Sequence, residues 1–153
     1  MHRASGFTLV ELLIAVVIFA MISAVAVPIY TEYTQRGFRV ELQGDLMACG
    51  QALERFNAIN FTYVGAVDTD ADGLPNAGAA NGTIATSLCN PGSVQQGRYA
   101  VTVTTTATTY LLTAVPAGPM LNTGNLTLDQ AGNRTWDEAN DGIGATDNDW
   151  EKG

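Results

Sequence analysis

The sequence predicts an α+β protein: one long N-terminal helix, hydrophobic in its first half, packed on a C-terminal antiparallel β-sheet of three to four strands. Three observations predict it. Residues 7–30 form an apolar run whose only charge is Glu11. Residues 38–56 repeat an apolar side chain every three or four positions. Residues 98–136 hold short segments rich in β-branched and aromatic residues, separated by turn formers.

The apolar run comes first. At about 1.5 Å per residue, a helix over residues 7–30 spans roughly 36 Å, enough to cross a bilayer core of about 30 Å. Upstream, residues 1–6 form a short leader whose Arg3 favours the cytoplasmic side, which places the body of the chain across the membrane. A secretory signal is the competing reading, because Ala24-Val25-Ala26 fits a small-x-small cleavage site. Cleavage there would leave a soluble secreted calcium-binding module beginning at Val27. The run exceeds the usual signal core of about 7 to 15 residues and continues past Ala26, which favours a retained helix.

Glu11 has a local explanation, since Thr8 gives the S/T-x-x-E spacing of a capping box and a carboxylate in a first turn suits the helix dipole. That explanation is incomplete. A charge at mid-membrane costs about 2.5 to 3.5 kcal/mol on insertion scales, so such residues have partners.

Pro28 lacks an amide hydrogen and its ring crowds the preceding turn, so a curved or interrupted helix is expected there. Beyond it, Phe38, Leu42, Leu46, Cys49, Leu53 and Phe56 line one stripe of an amphipathic helix over residues 31–60, which faces a core. Arg39, Glu41, Gln43, Asp45, Gln51, Glu54 and Arg55 occupy the opposite side, as a solvated face or a subunit contact.

Residues 60–97 are rich in Gly, Asn, Asp and Ala and read as one long loop. Cys49 and Cys89 lack a histidine or third cysteine for a zinc site, and in an exported domain the sensible pairing is a disulfide; two unrelated buried thiols are the alternative. The bridge would close a loop of roughly 40 residues, worth about 4 kcal/mol by loop entropy. Residues 98–105, 108–115 and 125–129 read as antiparallel strands, with a turn at Ala131-Gly132-Asn133 and a last strand at 134–136. An acidic tail follows to residue 153.

Function is bounded mostly by what is missing. The chain has 15 acidic against 7 basic residues and a net charge of −8, which repels nucleic acid on average. Its one histidine is His2 and its one lysine Lys152, too few neutral-pH bases and activators for an enzyme. No cofactor is required. Calcium is the one candidate ion, because Asp68, Asp70 and Asp72 alternate ahead of Gly73 like positions 1, 3, 5 and 6 of a calcium loop. The twelfth position is Ala79 instead of a bidentate glutamate, so a further ligand is needed, with Asp137, Glu138, Asp141, Asp147 and Asp149 as candidates. The other reading is a solvated acidic turn without an ion.

Gly6-Phe7-Thr8-Leu9-Val10-Glu11-Leu12-Leu13-Ile14 resembles the class III signal of type IV pilins. The resemblance implies that a prepilin peptidase cuts after Gly6 and methylates the amine of Phe7. It also implies that Glu11 pairs with the terminal amine of a neighbouring subunit and places the subunit in the filament. An α-amine ordinarily titrates at about 7.7 to 8.0, so the new terminus is cationic enough to offset the desolvation of Glu11. Pro28 would then lie in a segment that partly unwinds in the fibre.

The order of long helix, loop and meander is similar to the pilin fold. Ala48-Cys49-Gly50-Gln51, Arg98-Tyr99 and Leu126-Thr127-Leu128-Asp129-Gln130 further resemble a branch of minor type IV pilins. That branch often carries a second cysteine pair fixing the C-terminus, which residues 122–125 and 148–150 lack, so the tail is loose or held by something else.

The resemblance implies a pilus subunit for adhesion, twitching motility or DNA uptake, held in the inner membrane before extraction into an extracellular filament. Its partners would be other pilin subunits, prepilin peptidase and the inner-membrane assembly machinery. A type II secretion pseudopilin shares the N-terminus and is the alternative within the class. A DNA receptor would need an exposed basic stripe. Arg36, Arg39, Arg55, Arg98, Arg134 and Lys152 are scattered, so direct nucleic acid binding is not expected.

Overall fold

The computed structural model describes residues 7–139, 141, 142, 144 and 150. The chain divides into two compact units, Met1–Arg36 and Gly37–Gly153. A helix, α1, runs over Leu9–Asn60. In the first unit it is continuous through Pro28, so of the curved or interrupted helix expected there the interruption is absent. A proline removes one ladder bond, and the carbonyl of Pro28 itself accepts the Thr31 hydroxyl at 2.8 Å. The apolar turns on either side have no alternative partners for their amides in lipid, which favours keeping the ladder.

In the second unit, α1 from Gly37 onward lies on a six-stranded sheet. The strands are β1 (Val67–Asp68), β2 (Asn81–Ile84), β3 (Tyr99–Thr105), β4 (Tyr110–Pro116), β5 (Leu126–Asp129) and β6 (Arg134–Trp136). They follow one another as an antiparallel meander in the order β1-β2-β3-β4-β5-β6. The fold class is the expected one, but the sheet has six strands where three to four were expected. The missed strands sit in the 60–97 stretch. β1 is two residues long and β2 is Asn-Gly-Thr-Ile, too short and too polar to show a period of two. They form through tertiary pairing, Val67 with Ile84 and Thr83 with Thr102. A short helix, α2 (Gly92–Gln95), also interrupts the expected loop.

Alternation is cleanest in β3, whose Tyr99, Val101 and Val103 are buried while Ala100, Thr102 and Thr104 face outward. The buried row meets Leu42, Leu46, Cys49 and Leu53 of α1, with Leu112, Ala114, Leu126 and Trp136 completing the core. Truncating a fully buried leucine such as Leu46 to alanine would cost about 2 to 5 kcal/mol. On the other face, register aligns Thr83, Thr102, Thr113, Thr127 and Thr135 into one row across five strands. The hairpins close locally. Thr106 Oγ1 accepts the amides of Thr108 and Thr109, and Asp129 Oδ1 accepts those of Ala131 and Asn133.

One flank of α1 is laced to the segment between the disulfide and β3. Arg98 donates to Glu41 at 2.9 Å, Ser93 donates to Asp45, and Cys49 is bridged to Cys89 with their Cα atoms 5.2 Å apart. Glu41, Asp45 and Cys49 are one turn apart, so each tie falls on the same side of the helix. The polar face read as solvated is therefore partly a clamp. Arg39 of that face lies over the Trp136 ring, its guanidinium carbon 3.7 Å from the centroid.

The tail is anchored at Trp150 without a second disulfide. Its indole N–H donates to the Thr135 carbonyl at 3.2 Å, and its own carbonyl accepts from Gln43. The side chain is buried, with the Arg134 guanidinium 5.3 Å from the ring.

Candidate functional site

The N-terminal unit presents apolar side chains to every side. Residues 7–22 are all exposed, with Phe7 75 %, Leu9 79 % and Phe19 72 % accessible, and the most apolar 18-residue window has a mean hydropathy of 2.9. A soluble monomer does not carry such a surface, which far exceeds the few hundred Å² of an ordinary apolar patch. By length and composition the helix can cross a membrane.

Glu11 is built into the first turn. Its backbone N–H donates to Thr8 Oγ1 at 3.2 Å, and the same hydroxyl lies 3.4 Å from Glu11 Oε2. Thr8 thus caps the helix, and the carboxylate sits among the unpaired amides where the dipole favours it. The side chain is exposed, leaving Oε1 open to a group outside this chain. Phe7 adjoins this turn. Gly6, the other expected processing residue, lies outside the described residues.

A family model described as type IV minor pilin ComP, DNA uptake sequence receptor, matches residues 28–127, and one for the prokaryotic N-terminal methylation motif matches residues 1–27. The chain belongs to the ComP family of type IV minor pilins. No solved structure matches it. The minor pilin is anchored in the membrane by its apolar helix before it enters an extracellular pilus. The two matches meet at Pro28, where the methylation motif gives way to the part that carries the globular unit.

The three aspartates of the acidic loop converge. One carboxylate oxygen from each of Asp68, Asp70 and Asp72 lies within 4.8 Å of the others. Asp68 is committed to the turn itself, its oxygens accepting the amides of Ala71 at 2.7 Å and Gly73 at 2.8 Å. Desolvation pushes its carboxyl upward, but these amides together with Asp70 outweigh it and hold the group below the usual carboxylate range. Asp70 Oδ1 accepts from Asn76, and Asp72 Oδ1 accepts the Leu74 amide. With one oxygen from each, three carboxylates supply half or less of the six to eight oxygens that calcium takes. Of the candidate extra ligands, Asp137, Glu138 and Asp141 are not in the cluster; Asp137 is buried beside β6 and accepts the amides of Asp141 and Gly142. Asp147 and Asp149 lie outside the described residues.

Among the described residues, the arginines are largely spent on the fold. Arg39 and Arg134 stack on Trp136 and Trp150, while Arg98 is buried over Phe38 and paired with Glu41. Arg36 pairs with Glu32 one turn away. Arg55 remains as an exposed cation on α1. Sequence reasoning had these arginines as scattered charges and missed their aromatic partners, since only the meander brings Trp136 and Trp150 against α1.

Proposed function

We propose that this minor pilin is processed between Gly6 and Phe7 and assembled through residues 7–30, with Glu11 pairing the methylated terminal amine of a neighbour, and that the pilus it joins serves DNA uptake. The observation that carries the assembly role is the exposed apolar stretch of residues 7–22, whose one carboxylate, Glu11, lies in a first turn capped by Thr8. The uptake role is supported by the description of the matched family, a receptor for DNA uptake sequences. Net charge argued against contact with DNA, but an average charge does not exclude a local site, and among the described residues Arg55 is an exposed cation that is neither stacked on an aromatic ring nor paired with an acid.

Deleting the gene tests the proposal. Loss of transformation with surface pili retained is the expected result; loss of protein secretion with transformation intact would identify a pseudopilin instead. The replacement Glu11→Val should leave a folded, processed subunit that fails to enter sheared pilus fractions. Duplex binding by the purified processed protein at physiological salt, weakened by Arg55→Ala, would make the receptor role direct.

The acidic loop enters this proposal as a calcium site formed by Asp68, Asp70 and Asp72, supported by the convergence of their oxygens. A melting temperature unmoved by millimolar calcium would sink that part alone.

A further inference from the structure

A groove of about 310 Å³ opens on the globular unit between α1 and the β5–β6 hairpin. Its floor is apolar, made by Met47, Gly50, Leu128 and the ring of Tyr110. Gly50 sets the depth, because a Cβ there would stand 2.9 Å from Tyr110 Oη and 3.3 Å from Leu128 Cδ2. Its rim is anionic, with Glu54 and Asp129 against the single cation Arg134, whose guanidinium is turned to the Trp150 ring. One oxygen of Glu54 is taken, Oε2 accepting the Tyr63 hydroxyl at 2.9 Å, and Tyr63 itself packs edge-on against Tyr110.

We propose that this groove binds a primary alkylammonium group on an apolar stem, the side chain of a lysine carried by a partner polypeptide. The floor matches the methylene stem, which gains by leaving water, while the ammonium stays at the rim. The carboxylates supply the complementary charge, and the Tyr110 hydroxyl supplies a neutral acceptor. Lysine fits better than arginine for a geometric reason. A guanidinium is best met by two parallel carboxylate oxygens, and Glu54 has one oxygen already committed to Tyr63; an ammonium needs a single strong acceptor and can share its other donors. The same negative field explains why the Tyr110 phenol resists ionisation, with Glu54 and Asp129 among the groups that raise its pKa after burial itself.

The test uses the processed full-length protein in detergent micelles, labelled at its methionine methyls. Titration with Nα-acetyl-lysine amide should shift the Met47 methyl saturably and leave those of Met21 and Met120 in place. The Nε-acetylated compound, which has the same stem without the charge, should not bind. Glu54→Gln, which keeps the Tyr63 acceptor, should weaken binding by about tenfold, in line with the loss of one charged hydrogen bond. Failure of the Met47 methyl to move, equal binding of the Nε-acetylated compound, or an affinity unchanged by Glu54→Gln would each overturn the proposal. Binding of 1,5-diaminopentane without binding of the lysine amide would overturn the assignment to a polypeptide. The comparison of the two acetylated compounds needs only the wild-type chain and decides the matter if the variant does not fold.

Discussion

The carboxylate of Asp45 accepts both the backbone N–H of Ser93 at 2.9 Å and its hydroxyl at 2.6 Å, across 48 residues of chain. One turn toward the N-terminus Glu41 holds Arg98, and one turn toward the C-terminus Cys49 holds Cys89. Segment 89–98 therefore runs antiparallel to α1 and is tied to it three times. It delivers the chain to β3, so the ties fix where the sheet begins relative to the helix.

Asp45→Ala removes two charge-assisted hydrogen bonds and leaves the buried Ser93 hydroxyl without that partner. A loss of about 2 to 3 kcal/mol is expected, read by chemical denaturation of the oxidised protein. A loss below a few tenths would show that water replaces the carboxylate and that this tie is dispensable.

Opening the disulfide, by Cys49→Ala with Cys89→Ala, should cost up to about 4 kcal/mol by loop entropy. The hydrogen bonds of Asp45 to Ser93 exist only in the folded chain, whereas the bridge acts through the loop entropy of the unfolded one. Combining the cysteine replacements with Asp45→Ala should therefore destabilise by close to the sum of the separate losses. A departure from additivity in the cycle would show that the two ties act on each other within the folded state.

Much of this was legible in the sequence because it lies in local periods. The stripe from Phe38 to Phe56 and the alternation of β3 each repeat at the spacing that burial demands, and Glu11 and Thr8 are three residues apart in the first turn. What escaped depends on partners distant in sequence. Asn-Gly-Thr-Ile carries no strand period, and becomes β2 because β3 offers it an edge. Arg39 reads as a surface charge until Trp136, nearly a hundred residues on, is placed beneath it.

Gly124 is a position where backbone geometry allows one residue only. It has φ +83°, and a Cβ there would collide with the Asp137 carbonyl oxygen, at the point where the chain leaving the 3-10 turn Gly118–Met120 meets the end of β6. Gly124→Ala combines left-handed strain of about 1 to 2 kcal/mol with an overpacking cost of similar size, so about 3 kcal/mol of stability should be lost. Because Trp136 donates its indole N–H to the Thr123 carbonyl at 2.9 Å, tryptophan fluorescence should report the displacement at once. A melting temperature within a degree of wild type would mean that this loop yields freely.

Tyr110 provides a prediction in pH. Burial, then the charge of Glu54, then Tyr63 and Asp129 push its pKa up to about 12, above the value near 10 of an unfolded tyrosine. The raised pKa means that the fold favours the neutral phenol. Below pH 10 the phenol is protonated in folded and unfolded chains alike, and its contribution is fully present. Between about 10 and 12 the unfolded chain releases the proton while the folded chain keeps it, so stability falls as pH rises, and above about 12 the dependence from this group ends. Ultraviolet absorbance titration should show a late-ionising tyrosine that disappears in Tyr110→Phe, with the alkaline loss of stability reduced in the same variant. Glu54→Gln should bring the late step to lower pH, because the second-largest cause is removed. If that variant leaves the step where it was, burial alone sets the pKa and the field in the groove is weaker than its carboxylates suggest.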